Sequence, residues 1–216
     1  MLNFIFKLKH RLGSSTGKTL LWIFVRRDLT KIKGELGIDL AGGAMANKIF
    51  FLTNKYVCVD IDQKRLDVGK SKNLDAIIVN SKIQDFLRQK DQEKPDVLAC
   101  FQSMGLEAHI QFREISEIVD LMYHYLKEGG SMIFNIGNHK KDLELKEKEL
   151  SKMLKGKFES VNIHYYGALH KTHVNQKKYS PYLRFILAYS MYWISPLRTF
   201  FGLRKNKVYF YCRNKL

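Results

Sequence analysis

Long apolar runs and paired cysteines are missing from this 216-residue sequence, and its last quarter holds no acidic residue. The three cysteines, Cys58, Cys100 and Cys212, form no C-x-x-C pair and no even framework. That excludes a disulfide scaffold and a cysteine zinc site, and leaves buried thiols in a reducing compartment. The uncharged run from Phe185 to Leu197 is 13 residues long, short of the roughly 20 needed to cross a bilayer. The first apolar runs are broken by Lys7, Lys9 and Arg11, which does not fit a secretory signal, so a cytoplasmic location is expected. Gly13-Ser14-Ser15-Thr16-Gly17-Lys18-Thr19 lacks one residue of P-loop spacing and has no strand before it, so it reads as a linker. His170-x-x-His173 has no third ligand in view, and no metal site is expected.

What charge there is sits at the ends. Residues 1–34 carry eight Lys/Arg against one acid, Asp28; from Ser160 onward there are ten Lys/Arg and none. The stretch between is close to neutral, with 19 basic and 20 acidic residues. One-signed charge outside a neutral centre points to an anionic partner, a membrane surface or nucleic acid. Met1, Ile5, Leu8 and Leu12 share one face of a short basic helix, and a second helix is expected over about 19–33. Residues 1–34 thus form a basic helical N-terminal part and 35–216 the main domain.

The densest signal runs from Gly37 to Asp62. An apolar run ends near Asp39, the small residues Ala41, Gly42, Gly43 and Ala44 follow, then a helix-like segment, then an apolar run ending on Asp60, 21 residues after Asp39. A strand, a small-residue turn, a helix and a strand tipped by an acid form an adenosine-binding unit: the turn lets backbone approach the ligand and the acid takes ribose hydroxyls. Further strands are expected near 75–80, 96–101 and 131–136, with helices between and a charged helix over 140–155. This alternation implies a doubly wound, mostly parallel α/β sheet with helices on both faces.

Asp39-Leu40-Ala41-Gly42-Gly43-Ala44-Met45 resembles the acid-x-G-x-G-x-G motif of the class I S-adenosylmethionine-dependent methyltransferases, with Ala41 and Met45 in place of the outer glycines. Ser81 to Phe86 is similar to that family's adenine-binding stretch, Pro95 to Phe101 to its fourth strand, and Leu126-Lys127-Glu128-Gly129-Gly130 to its turn into strand five. The resemblance covers about residues 36–136. It implies a seven-stranded sheet whose last strand, Val208–Arg213, is antiparallel and pairs with Phe158–Tyr166. It also implies S-adenosylmethionine as cofactor, held by Asp39, Ala41, Gly42, Gly43, Asp60, Ile61, Ile83, Asp85 and Phe101. Met45 places a long side chain where the cofactor's amino-acid end lies close to backbone, which would block the donor in a non-catalytic member of the fold.

Between the last two strands, about 170–205, lies an aromatic, basic insertion. Ser180-Pro181 and Ser195-Pro196 read as helix starts. The first helix, 181–194, divides into an aliphatic stripe (Leu183, Ile186, Leu187, Met191, Ile194) for the domain and an aromatic one (Tyr182, Phe185, Tyr189, Tyr192, Trp193) for an acceptor or a membrane interface. A hydroxyl acceptor also needs a base; Glu107, His109, His139, His170 and His173 are placed for it, with Glu107 and His109, beyond strand four, the leading candidates. Phe101-Gln102-Ser103 lacks the Asn/Asp-Pro-Pro turn of adenine methylation, and Ala99-Cys100 lacks the Pro-Cys of cytosine C5 methylation. The expected reaction is O-methylation of a small, lipid-linked or membrane-proximal acceptor by a peripheral membrane protein. The alternatives are RNA methylation and a binding protein without catalysis.

Overall fold

The structure is a computed structural model and describes residues 16–89, 93–105, 110–137, 140–166, 183, 186–193 and 207–215. Seven strands form one sheet: β1 (Lys33–Leu40), β2 (Leu52–Asp60), β3 (Ile77–Asn80), β4 (Val97–Met104), β5 (Ser131–Gly137), β6 (Ser160–Tyr166) and β7 (Lys207–Arg213). Their order is β3-β2-β1-β4-β5-β7-β6. All pairings are parallel except those of β7, which runs antiparallel to both neighbours. The order reverses between β1 and β4, and in open sheets of this kind ligands bind beyond the carboxyl ends at that point.

Alternation along the strands sends apolar side chains to two cores. Leu36, Ile38, Leu40, Leu98, Cys100, Met132, Phe134 and Phe210 face one side. They are covered by α3 (Ile83–Leu87), α4 (Ile115–Tyr125) and α5 (Lys140–Lys157). Cys58, Ala99, Phe101, Ile133 and Tyr209 face the other, under α1 (Thr16–Leu29) and α2 (Gln63–Lys70).

Helix α1 begins inside the glycine-containing stretch read as a linker: Thr16 to Thr19 are its first turn. Leu20, Leu21, Phe24, Val25 and Leu29 recur at helical spacing and are all buried. A polar network fixes its far end to the sheet. Arg27 pairs with Asp28 through Nε–Oδ1 at 2.7 Å and Nη2–Oδ2 at 2.6 Å, Tyr209 donates to Asp28 Oδ2 at 3.0 Å, and Phe24 stacks on His164 at 4.9 Å. Burial and the Arg27 charge depress the His164 pKa to about 4.

The helix expected after the small-residue turn is not there. Between β1 and β2 the structure has only a three-residue 3₁₀ turn, Lys48–Phe50. Ala41, Gly43 and Met45 all have positive φ, which no α-helix accommodates, so helical geometry is confined to the few residues before Phe51. Helix α1 covers that part of the sheet instead, with Trp22 against Phe50 at 5.9 Å.

Candidate functional site

The turn after β1 takes its shape from φ values of 53° at Ala41, 52° at Gly43 and 57° at Met45. These are the three glycine positions of the motif. The chain keeps the glycine conformation with L-residues at two of them, at about 1–2 kcal/mol each. Gly42 cannot carry a side chain: a β-carbon would lie 2.7 Å from both Asp39 Oδ2 and Cys58 Sγ.

Hydrogen bonds tie the turn to β2. Gly42 N–H donates to Val59 O at 3.3 Å, and Gly43 N–H donates to Asp60 Oδ2 at 2.7 Å. Asp62 N–H takes the other Asp60 oxygen at 2.9 Å. Asp62 itself caps α2, accepting from Arg65 N–H at 3.1 Å. The Asp60 carboxylate is thus locked in orientation at the tip of its strand. It still has lone pairs to offer, since two carboxylate oxygens provide about four acceptor sites.

A cleft of about 510 Å³ opens beyond these strand ends. Ala41, Asp60, Ile61, Ile83 and Asp85 line it, as do Arg65, Lys82 and Ser103. Of the two apolar lining residues, Ile61 is 62% exposed and Ile83 is nearly buried. Apolar side chains beside a fixed carboxylate suit a flat base attached to a diol.

Two expected cofactor contacts, Asp39 and Phe101, and the expected place of Met45 need correction. Asp39 is fully buried beneath the turn rather than on the cleft wall. Asn47 Nδ2 donates to its two oxygens at 3.0 and 2.9 Å, and Tyr56 OH donates to Oδ2 at 2.8 Å. Burial, with the nearby Asp60 charge adding to it, raises its pKa to about 7 against the pull of those hydrogen bonds. Phe101 faces the α1 core and does not reach the cleft. Met45 does not enter it either; its side chain is fully buried on the α1 side, against Gly69 of α2. The side chain expected to stand in the donor's way packs into the core and does not line the cleft.

The base candidates His139, His170 and His173, and the leading pair Glu107 and His109, lie outside the described residues. The chain leaves and re-enters beside the cleft: Gly105 N–H bonds to Ile110 O at 3.3 Å, and Ile110 is a lining residue. At the end of β4, Gln102 has φ 60°, and its N–H donates to Asn135 Oδ1 of β5 at 2.9 Å. The β4–β5 register shifts there, between Cys100 and Met104. A strained L-residue beside a ligand cleft is where strain is characteristically kept.

In the insertion the two expected stripes are divided differently. Ala188 and Met191 are buried and Tyr192 packs on Phe24 at 5.4 Å, whereas Leu183, Ile186, Tyr189 and Trp193 are exposed, Trp193 at 67%. A 3.6-residue repeat sorts positions by face and not by aromatic character, so each face receives both kinds. No described helix is long and apolar enough to cross a membrane.

Sequence reasoning overlooked Arg65, Asn47, Tyr56 and the Gln102–Asn135 pair. Arg65 had a signal: a cation on the first turn of a helix that starts just past the β2 acid must lie at the ligand end of the sheet.

No protein-family model matches the chain, and no curated protein matches it in sequence. Solved structures do match it. The N-methyltransferase NodS from Bradyrhizobium japonicum, in complex with S-adenosylhomocysteine, aligns with a TM-score of 0.62 at 11% identity over 94% of this chain and 90% of its own. A methyltransferase dependent on S-adenosylmethionine from Archaeoglobus fulgidus aligns at 0.58 and 13% identity, over 98% and 99%. The plantazolicin methyltransferase BpumL, in complex with a triazolic desmethylPZN analog and S-adenosylhomocysteine, aligns at 0.53 and 12%, over 91% and 83%. With the strand order and the antiparallel β7, these alignments give the chain the fold of the class I S-adenosylmethionine-dependent methyltransferases.

Proposed function

We propose that this protein transfers a methyl group from S-adenosylmethionine to the hydroxyl of an amphiphilic, membrane-proximal acceptor. The observation that carries the donor half is the locked Asp60 carboxylate beside a turn held in glycine geometry. The residues fit the group: Asp60 for the ribose hydroxyls, Ile61 and Ile83 for the faces of the base, Asp85 for its amine, and Ala41 beside the amino-acid end. Bound there, the sulfonium supplies an electrophilic methyl group and a neutral leaving group. The chain's task is then positioning, which in such displacements accounts for much of the rate. His109 or Glu107, in the segment joined at Gly105 and Ile110, takes the acceptor's proton.

The acceptor half rests on the exposed stripe of Leu183, Ile186, Tyr189 and Trp193. Arg184, Arg198, Arg204 and Lys205 accompany it in sequence. Apolar and aromatic side chains among basic ones suit the headgroup zone of an anionic bilayer.

Calorimetry with S-adenosylhomocysteine tests the first half, and an undetectable heat of binding refutes it. Sedimentation with phosphatidylglycerol vesicles tests the second. Tyr189→Ala with Trp193→Ala should weaken vesicle binding and leave the melting temperature within a degree or two, because both side chains are exposed. Salt-sensitive RNA binding without vesicle binding transfers the acceptor to RNA.

A further inference from the structure

Arg65 lies across the glycine turn. A β-carbon on Gly43 would meet its guanidinium, with Cζ at 2.5 Å and Nε at 2.8 Å. The side chain lines the same cleft as Asp60. Among the described residues its guanidinium has neither an ion-pair partner nor a hydrogen-bond acceptor. Its neighbour Asp60 already accepts two backbone N–H groups, one on each oxygen. An exposed cation is thus held against the turn by packing alone.

The turn has lost its usual means of receiving an anion. A helix starting at a glycine turn presents unpaired N–H groups and a positive dipole end. Here the 3₁₀ turn Lys48–Phe50 is too short and too far along to act in this way. The N–H groups of Gly42, Gly43 and Met45 are consumed internally, by Val59 O, Asp60 Oδ2 and Gly42 O. A carboxylate arriving at this turn finds one full positive charge against it, that of Arg65.

We propose that Arg65 holds the carboxylate of the donor's amino-acid end, replacing the absent helix terminus and making the site selective for a carboxylated adenosyl ligand. This rests on the donor reading above. The sulfonium makes a nearby cation costly unless the carboxylate stands between them, so the pairing must be direct.

The test compares two ligands by calorimetry on the full chain. S-adenosylhomocysteine carries the carboxylate; 5′-methylthioadenosine has the same nucleoside and thioether without it. Arg65→Met should weaken S-adenosylhomocysteine roughly 10- to 100-fold, the range of a charge-assisted pair, and leave methylthioadenosine unchanged. Arg65→Lys should recover part of the loss. Because the side chain is exposed, thermal unfolding of both variants should match wild type. Equal binding of the two ligands by wild type overturns the proposal, as does an Arg65→Met variant that binds S-adenosylhomocysteine normally. Tighter binding of both ligands by Arg65→Met also overturns it and makes the arginine a plug. If wild type binds neither ligand, the donor reading itself fails.

Discussion

The side chain of Met45 occupies the space left by the missing β-carbon of Gly69: its Cγ and Sδ lie 2.8 and 3.1 Å from where that carbon would be. The pair locks the turn onto α2. Gly69→Ala should cost about 1–3 kcal/mol by overpacking, the more so because the Ala44 carbonyl carbon is also only 2.9 Å away. Met45→Gly should be net destabilising, since the cavity term of about 2–5 kcal/mol exceeds the backbone strain released. Urea unfolding measures both. A gain in donor affinity in Met45→Gly would show that the side chain reaches the cleft after all.

Ala41 has φ 53° with only a methyl group to place. Ala41→Gly relieves strain without leaving a large void, and should raise the unfolding free energy by up to about 1 kcal/mol. A loss of stability would mean that the turn prefers this geometry for reasons other than its backbone.

Asp60 does two jobs, so its removal should show in two measurements. Asp60→Ala leaves the N–H groups of Gly43 and Asp62 without their acceptor, at about 1–3 kcal/mol of stability. Donor affinity should fall as well, by roughly 10-fold or more. A variant that loses affinity at unchanged stability would show that the turn holds itself.

Asp39 should give the protein an unusual pH dependence. Its folded pKa, about 7, lies above the ordinary carboxylate value, so the folded state holds a proton that the unfolded state releases from about pH 4 upward. The stability contributed is therefore complete below about pH 4 and is lost as pH rises through 7, on the order of a few kcal/mol in all. Asp39→Asn keeps an oxygen for Asn47 and Tyr56 without the charge, and should flatten this slope, gaining on wild type at pH 8 and not at pH 4. His164, depressed to about 4, acts in the opposite direction, favouring the fold above about pH 6.5 and withdrawing support as pH falls toward 4. Parallel stability curves for wild type and Asp39→Asn would assign the slope to other groups.

The strands and the acid at the tip of β2 were legible in the sequence because both depend on local pattern: apolar runs of strand length, the second of them ending on Asp60. Other features depend on backbone conformation, which letters do not display. Ala41 and Met45 look like departures from a glycine motif, yet both adopt the glycine φ. The same φ values remove the helix that the spacing promised, and the Met45 side chain packs inward. Asp39 reads as a ligand contact by position, but strand alternation puts its side chain beneath the turn, where Tyr56 and Asn47 hydrogen-bond to it. The insertion helix was divided by residue chemistry, whereas burial followed its angular period. Arg65 was overlooked because its role comes from lying across Gly43, a contact between two elements.

The position of β7 matters for synthesis. It is the last of the seven strands along the chain, yet it is bonded to β5 on one side and β6 on the other. While the segment from Asn138 to Asn206 is being made, the edge of β5 is open, and its sequence SMIFNIG is buried along its whole length in the finished fold. An apolar, uncharged edge of that kind is a template for pairing with other chains. Until β7 arrives, self-completion competes with pairing to other chains, and shielding of this one strand is expected to favour the native sheet.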